Sequence, residues 1–301
     1  MQELVYILSH SYSGSTLLTL LLGTHPDIAT MGELKARAMG NVDEYSCSCG
    51  RRIGACPFWE NVRDKMLERG MAFSVDRFGT DFSLAGHRLG HAALCSRVRA
   101  PAFEWLRRGL IACVPHWRRN YRQVVEQNSA MIEVITRLQG GRLFLDGSKD
   151  AIRLAHIRAA DRWVLKTIHL IRDARGAAYS FMNHNDVPME RAAHEWRVTD
   201  SECRRILASM PVEMTLTIHY EDLCREPKAT LDEIHRFLGT DPEQGTLEFQ
   251  AREHHVLGNS MRLDSTAAIS LNERWRTALK PDELRVFDAV AGKLNRQYGY
   301  E

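Results

Sequence analysis

The segment LVYILSHSYSGSTLLTLLLGTHP, residues 4–26, constrains the fold more than any other part of the chain. The run Leu4–Leu8 is apolar without a break, the pattern of a parallel strand buried on both faces. A turn of small polar residues around Gly14 follows. A second apolar run predicts a helix from Ser15 to Gly23, stopped by Gly23 and the His25-Pro26 turn. A buried parallel strand needs partners on both sides, and parallel partners need helical crossovers.

The rest of the chain supplies those partners. RLFLD (142–146), WVLKTIHLIR (163–172) and EMTLTIHY (213–220) read as further strands. Helices are predicted from about Lys149 to Ala159, Arg175 to Phe181, Glu190 to Ala208 and Lys228 to Leu238. This alternation predicts an α/β fold: a three-layer sandwich with a central, mostly parallel sheet. Residues 35–140 lack strand patterning and read as a largely helical insertion, with helices over Glu104–Cys113 and Tyr121–Leu138. No repeat or linker divides the 301 residues, so one domain over 1–301 is expected. In such a sheet a ligand binds at the carboxyl ends of the strands.

Two elements fall at those ends. Backbone N–H groups at a helix N-terminus attract anions, and the 13–16 turn adds the hydroxyls of Ser13, Ser15 and Thr16 around the permissive Gly14. The same stretch also serves as an ordinary helix cap. It lacks the Gly-Lys-Ser/Thr ending of a Walker A loop, and Tyr12 stands where a cation might be expected. In HLIRDARGAAYS (169–180), Arg172 ends a strand and Ser180 lies two turns into the next helix. A guanidinium fork with a hydroxyl suits a phosphate, although an Arg-Asp surface pair would look the same. Two anion-binding elements at the ends of two strands point to a nucleotide phosphorylated at both ends of its ribose.

Together SGSTLL, HPDIATMGEL, LIRDARGAAYS, IHYEDLCREPKATLDEIHRFLG, HVLGNSMR and LNERWRTAL resemble the sulfotransferases that use 3′-phosphoadenosine-5′-phosphosulfate (PAPS), the bacterial type related to carbohydrate and tyrosylprotein sulfotransferases. The resemblance touches residues 4–34 and about 142–280. It implies a P-loop-like fold. It assigns Tyr12, Ser13, Gly14, Ser15 and Thr16 to the 5′-phosphosulfate, and Arg172 with Ser180 to the 3′-phosphate. It also places Tyr220 near the adenine or its phosphate and Arg262 over the 3′-phosphate. The implied partners are this nucleotide donor and a small-molecule or carbohydrate acceptor, with residues 35–140 forming the acceptor pocket. Family members usually carry Lys or Arg where Tyr12 stands.

Sulfuryl transfer needs donors on the departing phosphate oxygen and a base at the acceptor. Lys149 in LDGSKD is the expected substitute cation. Glu33 in MGEL resembles the glutamate base of related members, and His10 is the second candidate. His25 reads as a turn residue and His169 as part of a buried strand. The alternatives are a P-loop-type kinase, disfavoured by the missing lysine and the lack of an evident Mg²⁺ carboxylate, and a non-catalytic nucleotide-binding module.

Composition narrows the setting. A net charge of +2 gives no overall pull towards nucleic acid. No apolar stretch reaches the roughly 18 residues that span a membrane. The N-terminus enters its strand too early for a signal peptide, and seven cysteines fit a reducing compartment, so a cytoplasmic location is expected. Three of them, Cys47, Cys49 and Cys56, lie within CSCGRRIGACPFW. They read as a metal site, zinc with a fourth ligand from elsewhere, or as a local disulfide, or as packed thiols. The single cysteines 95, 113, 203 and 224 read as core residues.

Overall fold

The computed structural model describes residues 1–36, 41–82, 101–251, 253–264 and 268–301. Its centre is a five-stranded sheet of β1 (Gln2–Ser9), β2 (Ile28–Thr30), β3 (Leu143–Lys149), β4 (Trp163–Ile171) and β5 (Thr215–His219). The strand order is β2-β3-β1-β4-β5, and every ladder in the sheet is parallel. The chain builds towards one edge through β3 and towards the other through β4. The topological switch therefore lies at β1, and a crevice opens beyond its carboxyl end.

Strand alternation decides which layer each side chain joins. Leu4, Tyr6 and Leu8 pack on one face with α2 (Pro57–Glu68), α4 (Pro115–Gln139), α5 (Ala151–Ala160) and α7 (Met189–Leu207). Val5 and Ile7 pack on the other with α1 (Ser15–Leu22), α8 (Tyr220–Arg225) and α9 (Pro227–Leu238). A third cluster joins α6 (Ala174–Asn185) and α7 to α10 (Trp275–Ala278) and α11 (Pro281–Phe287). A π turn and α12 (Lys293–Gln297) follow, and α3 (Pro101–Cys113) precedes α4.

Several predicted boundaries move. Helix α5 starts at Ala151, because Asp150 caps it by accepting from the Ile152 and Arg153 N–H groups. Lys149 therefore ends β3 with φ of 68° instead of opening the helix. Tyr220 opens α8 and does not end β5. The three-residue β2 was too short to pattern, and α10–α12 carry no strand signal to mark them off. Cys203 is buried as expected, Cys113 is exposed, and Cys95 lies outside the described residues. Among the described residues no helix is long and apolar enough to cross a membrane.

One buried charge pair shapes the crevice from below. Asp146, wholly buried in the apolar strand β3, accepts from Arg153 Nε at 3.0 Å. Arg153 in turn donates to Thr80 O and to Asn128 Oδ1 on α4. The other carboxylate oxygen of Asp146 accepts from the N–H groups of Leu34 and Ser148 and from the Ser148 hydroxyl. Ser148 Oγ accepts from Lys35 N–H at 2.9 Å. The backbone around Glu33 is thus tied to the end of β3.

Candidate active site

The loop after β1 has the geometry its sequence predicts. Gly14 takes φ of 86° as the N-cap of α1, and no side chain caps that helix. Its leading N–H groups are left for another partner. Ser13 Oγ is buried with no hydrogen-bond partner among the described residues, which marks a polar atom waiting for one. A Cβ on Gly14 would collide with the Tyr220 ring, so the aromatic face lies directly on the turn. Tyr12 also takes a positive φ, 65°, and its ring lies against Phe181 and His184 of α6.

Arg172 is 6% exposed and joins this turn to the C-terminal segment. One Nη donates to Tyr12 O and the other to Asn272 O, both at 2.7 Å. Its guanidinium lies 4.6 Å from the Tyr220 ring centroid. Tyr220 OH donates to Ser270 O and accepts from Asn272 N–H, and burial pushes its pKa up to about 12. Further N–H groups of the Arg172 guanidinium remain for a ligand. Ser180 Oγ is back-bonded to Gly176 O at 3.0 Å within α6. Gly176 leaves room for both Arg172 and Trp275, whose ring is flanked by the guanidiniums of Arg175 and Arg276.

Across the crevice, Lys149 donates its ammonium to Glu33 Oε1, so the candidate cation and the candidate base are in direct contact. Beside them Lys35 pairs with Asp150. The turn holding Glu33 depends on Gly32, with φ of 78°, because a Cβ there would strike Leu257 O. Glu33 N–H donates to Leu257 O, and Leu257 N–H to Met31 O at 2.7 Å. The segment around Leu257 therefore walls the site, and Gly258 faces the Glu33 carboxylate.

Tyr12, Glu33, Lys35, Lys149 and Asp150 line one cleft of about 700 Å³, whereas residues 13–16, Arg172, Ser180 and Tyr220 lie outside its lining. Its floor is Ser9–Tyr12 and its walls include Glu33, Lys35, Lys149 and Asp150, with α6, α7 and Gly258–Ser260 closing it. Of the 35–140 segment, Lys35 alone among the described residues reaches this lining. Trp59 is core, packed on Phe73 and Phe78, whereas Trp105 is 79% exposed. His10 is buried, stacks on Trp196 at 4.9 Å, and has Nε2 3.6 Å from Asp200 Oδ1. That separation is too long for a hydrogen bond, so both ring nitrogens lack a bonded partner among the described residues. His169 lies in β4, where burial lowers its pKa to about 3, helped by the nearby His10. His25 fixes its turn, with Nδ1 accepting from Asp27 N–H and Nε2 against Asp241 O.

Arg262 is engaged elsewhere. It donates to Gly258 O, Asn259 O and Ser46 O and stacks over Tyr45 at 4.4 Å. Those contacts join the cleft wall to the cysteine-rich loop and do not reach Arg172. In that loop Cys47, Cys49 and Cys56 converge with His255, their ligand atoms all within 4.8 Å of one another. All six described cysteines are free. Burial pushes the Cys47 thiol up to about 12 and raises Cys56 against the pull of the Trp59 and Phe58 amides. Burial also lowers the pKa of the His255 imidazole, with Glu253 opposing.

Sequence reasoning missed Asp146, Asn272, Trp275 and His255. Asp146 had a signal, a carboxylate ending an otherwise apolar strand. His255 had none, because its partners lie about 200 residues away in sequence.

A parallel sheet with an uncapped helix N-terminus after its first strand, and basic and acidic side chains at the switch point, is a P-loop-like arrangement. The family model for the sulfotransferase domain matches residues 160–294. Among solved structures, the sulfotransferase domain of a Synechococcus olefin synthase matches at 19% identity and a TM-score of 0.53, covering 100% of this chain and 97% of that one. The sulfotransferase domain from the curacin biosynthetic pathway matches at 17% identity and a TM-score of 0.52, covering 100% and 99%. A sulfotransferase from Mycobacterium avium matches at 12% identity and a TM-score of 0.50, covering 100% and 78%. No curated protein sequence matches the chain. The chain therefore has the sulfotransferase fold, and its residues 160–294 are similar to the sulfotransferase domain family. That family takes its sulfuryl group from PAPS.

Proposed function

We propose that the protein moves a sulfuryl group from PAPS to a hydroxyl or amine of a small-molecule or carbohydrate acceptor. The observation that carries this reading is the shared cleft, which places the Tyr12 turn on one side and the Glu33–Lys149 pair on the other. The 13–16 turn takes the 5′-phosphosulfate through backbone N–H groups and hydroxyls. Arg172 and Tyr220 take the adenosine end, with Ser180 available once its hydroxyl turns from Gly176. Residues 35–140 are read as an insertion on the acceptor side of a single domain.

The acceptor oxygen bonds to sulfur as the sulfur–oxygen bond to the 5′-phosphate breaks. The acceptor proton goes to the Glu33 carboxylate, and charge appears on the departing phosphate oxygen. Once Glu33 is protonated it no longer holds Lys149, and the ammonium is free to meet that oxygen. This supplies the charge that Tyr12 lacks. His10 lines the same cleft and is the second candidate base.

Transfer of radiolabelled sulfuryl from PAPS across a panel of hydroxyl and amine acceptors tests the activity. Binding of 3′,5′-bisphosphoadenosine in preference to ATP tests the donor site. Tight ATP binding without bisphosphoadenosine binding would return the reading to a kinase. Bisphosphoadenosine binding without transfer to any acceptor would leave a nucleotide-binding module.

A further inference from the structure

The geometry points to a structural zinc site formed by Cys47, Cys49, Cys56 and His255, which clamps the wall of the cleft beside Glu33. Cys47 Sγ and Cys56 Sγ each lie 3.5 Å from His255 Nδ1, and Cys49 Sγ lies 3.6 Å from Cys56 Sγ. Zinc bonds of about 2.3 Å to sulfur and about 2.0–2.1 Å to nitrogen put tetrahedral sulfur–sulfur edges near ~3.8 Å and sulfur–nitrogen edges near ~3.6 Å. These three of the six edges match, and the other three are no longer than 4.8 Å.

Thiol hydrogen bonding accounts for the cluster less well. An imidazole nitrogen has one in-plane lone pair, yet two thiols are aimed at Nδ1. A metal ion at the centre makes use of all four donors. The surroundings also suit a metal. His255 Nε2 points to the side of a Glu253 carboxylate oxygen 3.7 Å away, too far for a hydrogen bond, and leaves Nδ1 facing the thiols. Phe58 stacks flat on the His255 ring at 4.3 Å, and the Gly50 N–H closes a tight turn onto Cys47 O at 2.9 Å. Cys47 and Cys56 are fully buried, so the centre is closed to solvent on that side.

Position gives the site its role. His255 lies two residues before Leu257, whose backbone holds Met31 and Glu33, and three before Gly258, which faces the Glu33 carboxylate. Ser48, between two of the thiols, bonds to His254 O and accepts from Val256 N–H. A metal here ties the cysteine loop to the strand-like segment that positions the candidate base. It takes no part in sulfuryl transfer, so the site stands or falls separately from the proposed activity.

The test is metal content and ligand spectroscopy of the full chain purified in reducing buffer. One zinc per chain is expected, with Cys49→Ser and His255→Ala losing it to a chelator about 10- to 100-fold more readily and exposed Cys113→Ser unchanged. Cobalt replacement should give intense tetrahedral d–d bands and thiolate charge transfer. Chelation should also raise amide exchange over 254–260 while the central strands stay protected. The proposal is overturned if wild type holds no more zinc than folded Cys47→Ser/Cys56→Ser protein and cobalt gives no thiolate band. A Cys49–Cys56 disulfide found by alkylation and mass spectrometry of the reducing-buffer preparation would overturn it equally.

Discussion

Lys149 and Glu33 are ion-paired across the gap between the end of β3 and the turn after β2. Both side chains are about four-fifths buried, and the strained φ of Lys149 aims its ammonium inward. A loop with tyrosine in the usual cation position thus has a cation one strand away, held by the residue proposed to accept the proton. Glu33→Gln is expected to lower kcat by about 10²–10⁴-fold and to change bisphosphoadenosine affinity little. Lys149→Met should lower kcat by about 10²–10³-fold through the leaving oxygen. Steady-state transfer and nucleotide titration check both; unchanged turnover in Glu33→Gln hands the base role to His10.

Arg172 acts as a clip besides its proposed part in holding the nucleotide. Its two arms hold Tyr12 O and Asn272 O, so a point charge cannot replace it. Arg172→Ala should weaken bisphosphoadenosine by about 10²-fold, the scale of losing two charge-assisted hydrogen bonds. Arg172→Lys should recover less than about a tenth of that affinity. Isothermal titration is the measurement. Recovery to wild-type affinity in the lysine variant would show that charge alone matters.

Asp146 carries the cleft's support. Asp146→Ala strands the buried Arg153 guanidinium and frees the Leu34 and Ser148 N–H groups. A stability loss of about 3–5 kcal/mol is expected. Denaturant unfolding measures it, and a loss within experimental error would place the support elsewhere. Asp146→Asn keeps an acceptor for the N–H groups and should fall between.

The sheet was legible because buried parallel strands are written as unbroken apolar runs, as Leu4–Leu8 and Trp163–Ile171 are. The proposed donor half of the site was legible for a related reason. Gly14, Arg172 and Ser180 sit at fixed steps from strand ends, so local spacing places them. The other half was not, because it is made by long-range backbone pairing. Nothing near Glu33 announces that Leu257 holds it, and nothing near Cys47 announces His255. Arg262 shows the same limit: its short motif was readable, but its partners at Ser46 and Tyr45 lie on another loop.

His169 provides a stability test that depends on none of the catalytic assignments. Burial in β4 lowers its pKa to about 3, with His10, His219 and Arg204 acting in the same direction and Asp200 opposing. An unfolded histidine titrates near ~6.5. Between those values the unfolded chain binds a proton that the folded chain does not, so stability rises with pH there. The contribution is complete above about 6.5 and is lost as pH falls towards about 3, at a slope of at most about 1.4 kcal/mol per pH unit from this group. His169→Leu removes the titrating group and, after allowance for its own packing change, should flatten the profile over that window. Urea midpoints from pH 7 to pH 4 make the comparison. Parallel slopes in wild type and His169→Leu would show that the buried imidazole does not stay neutral in the folded chain.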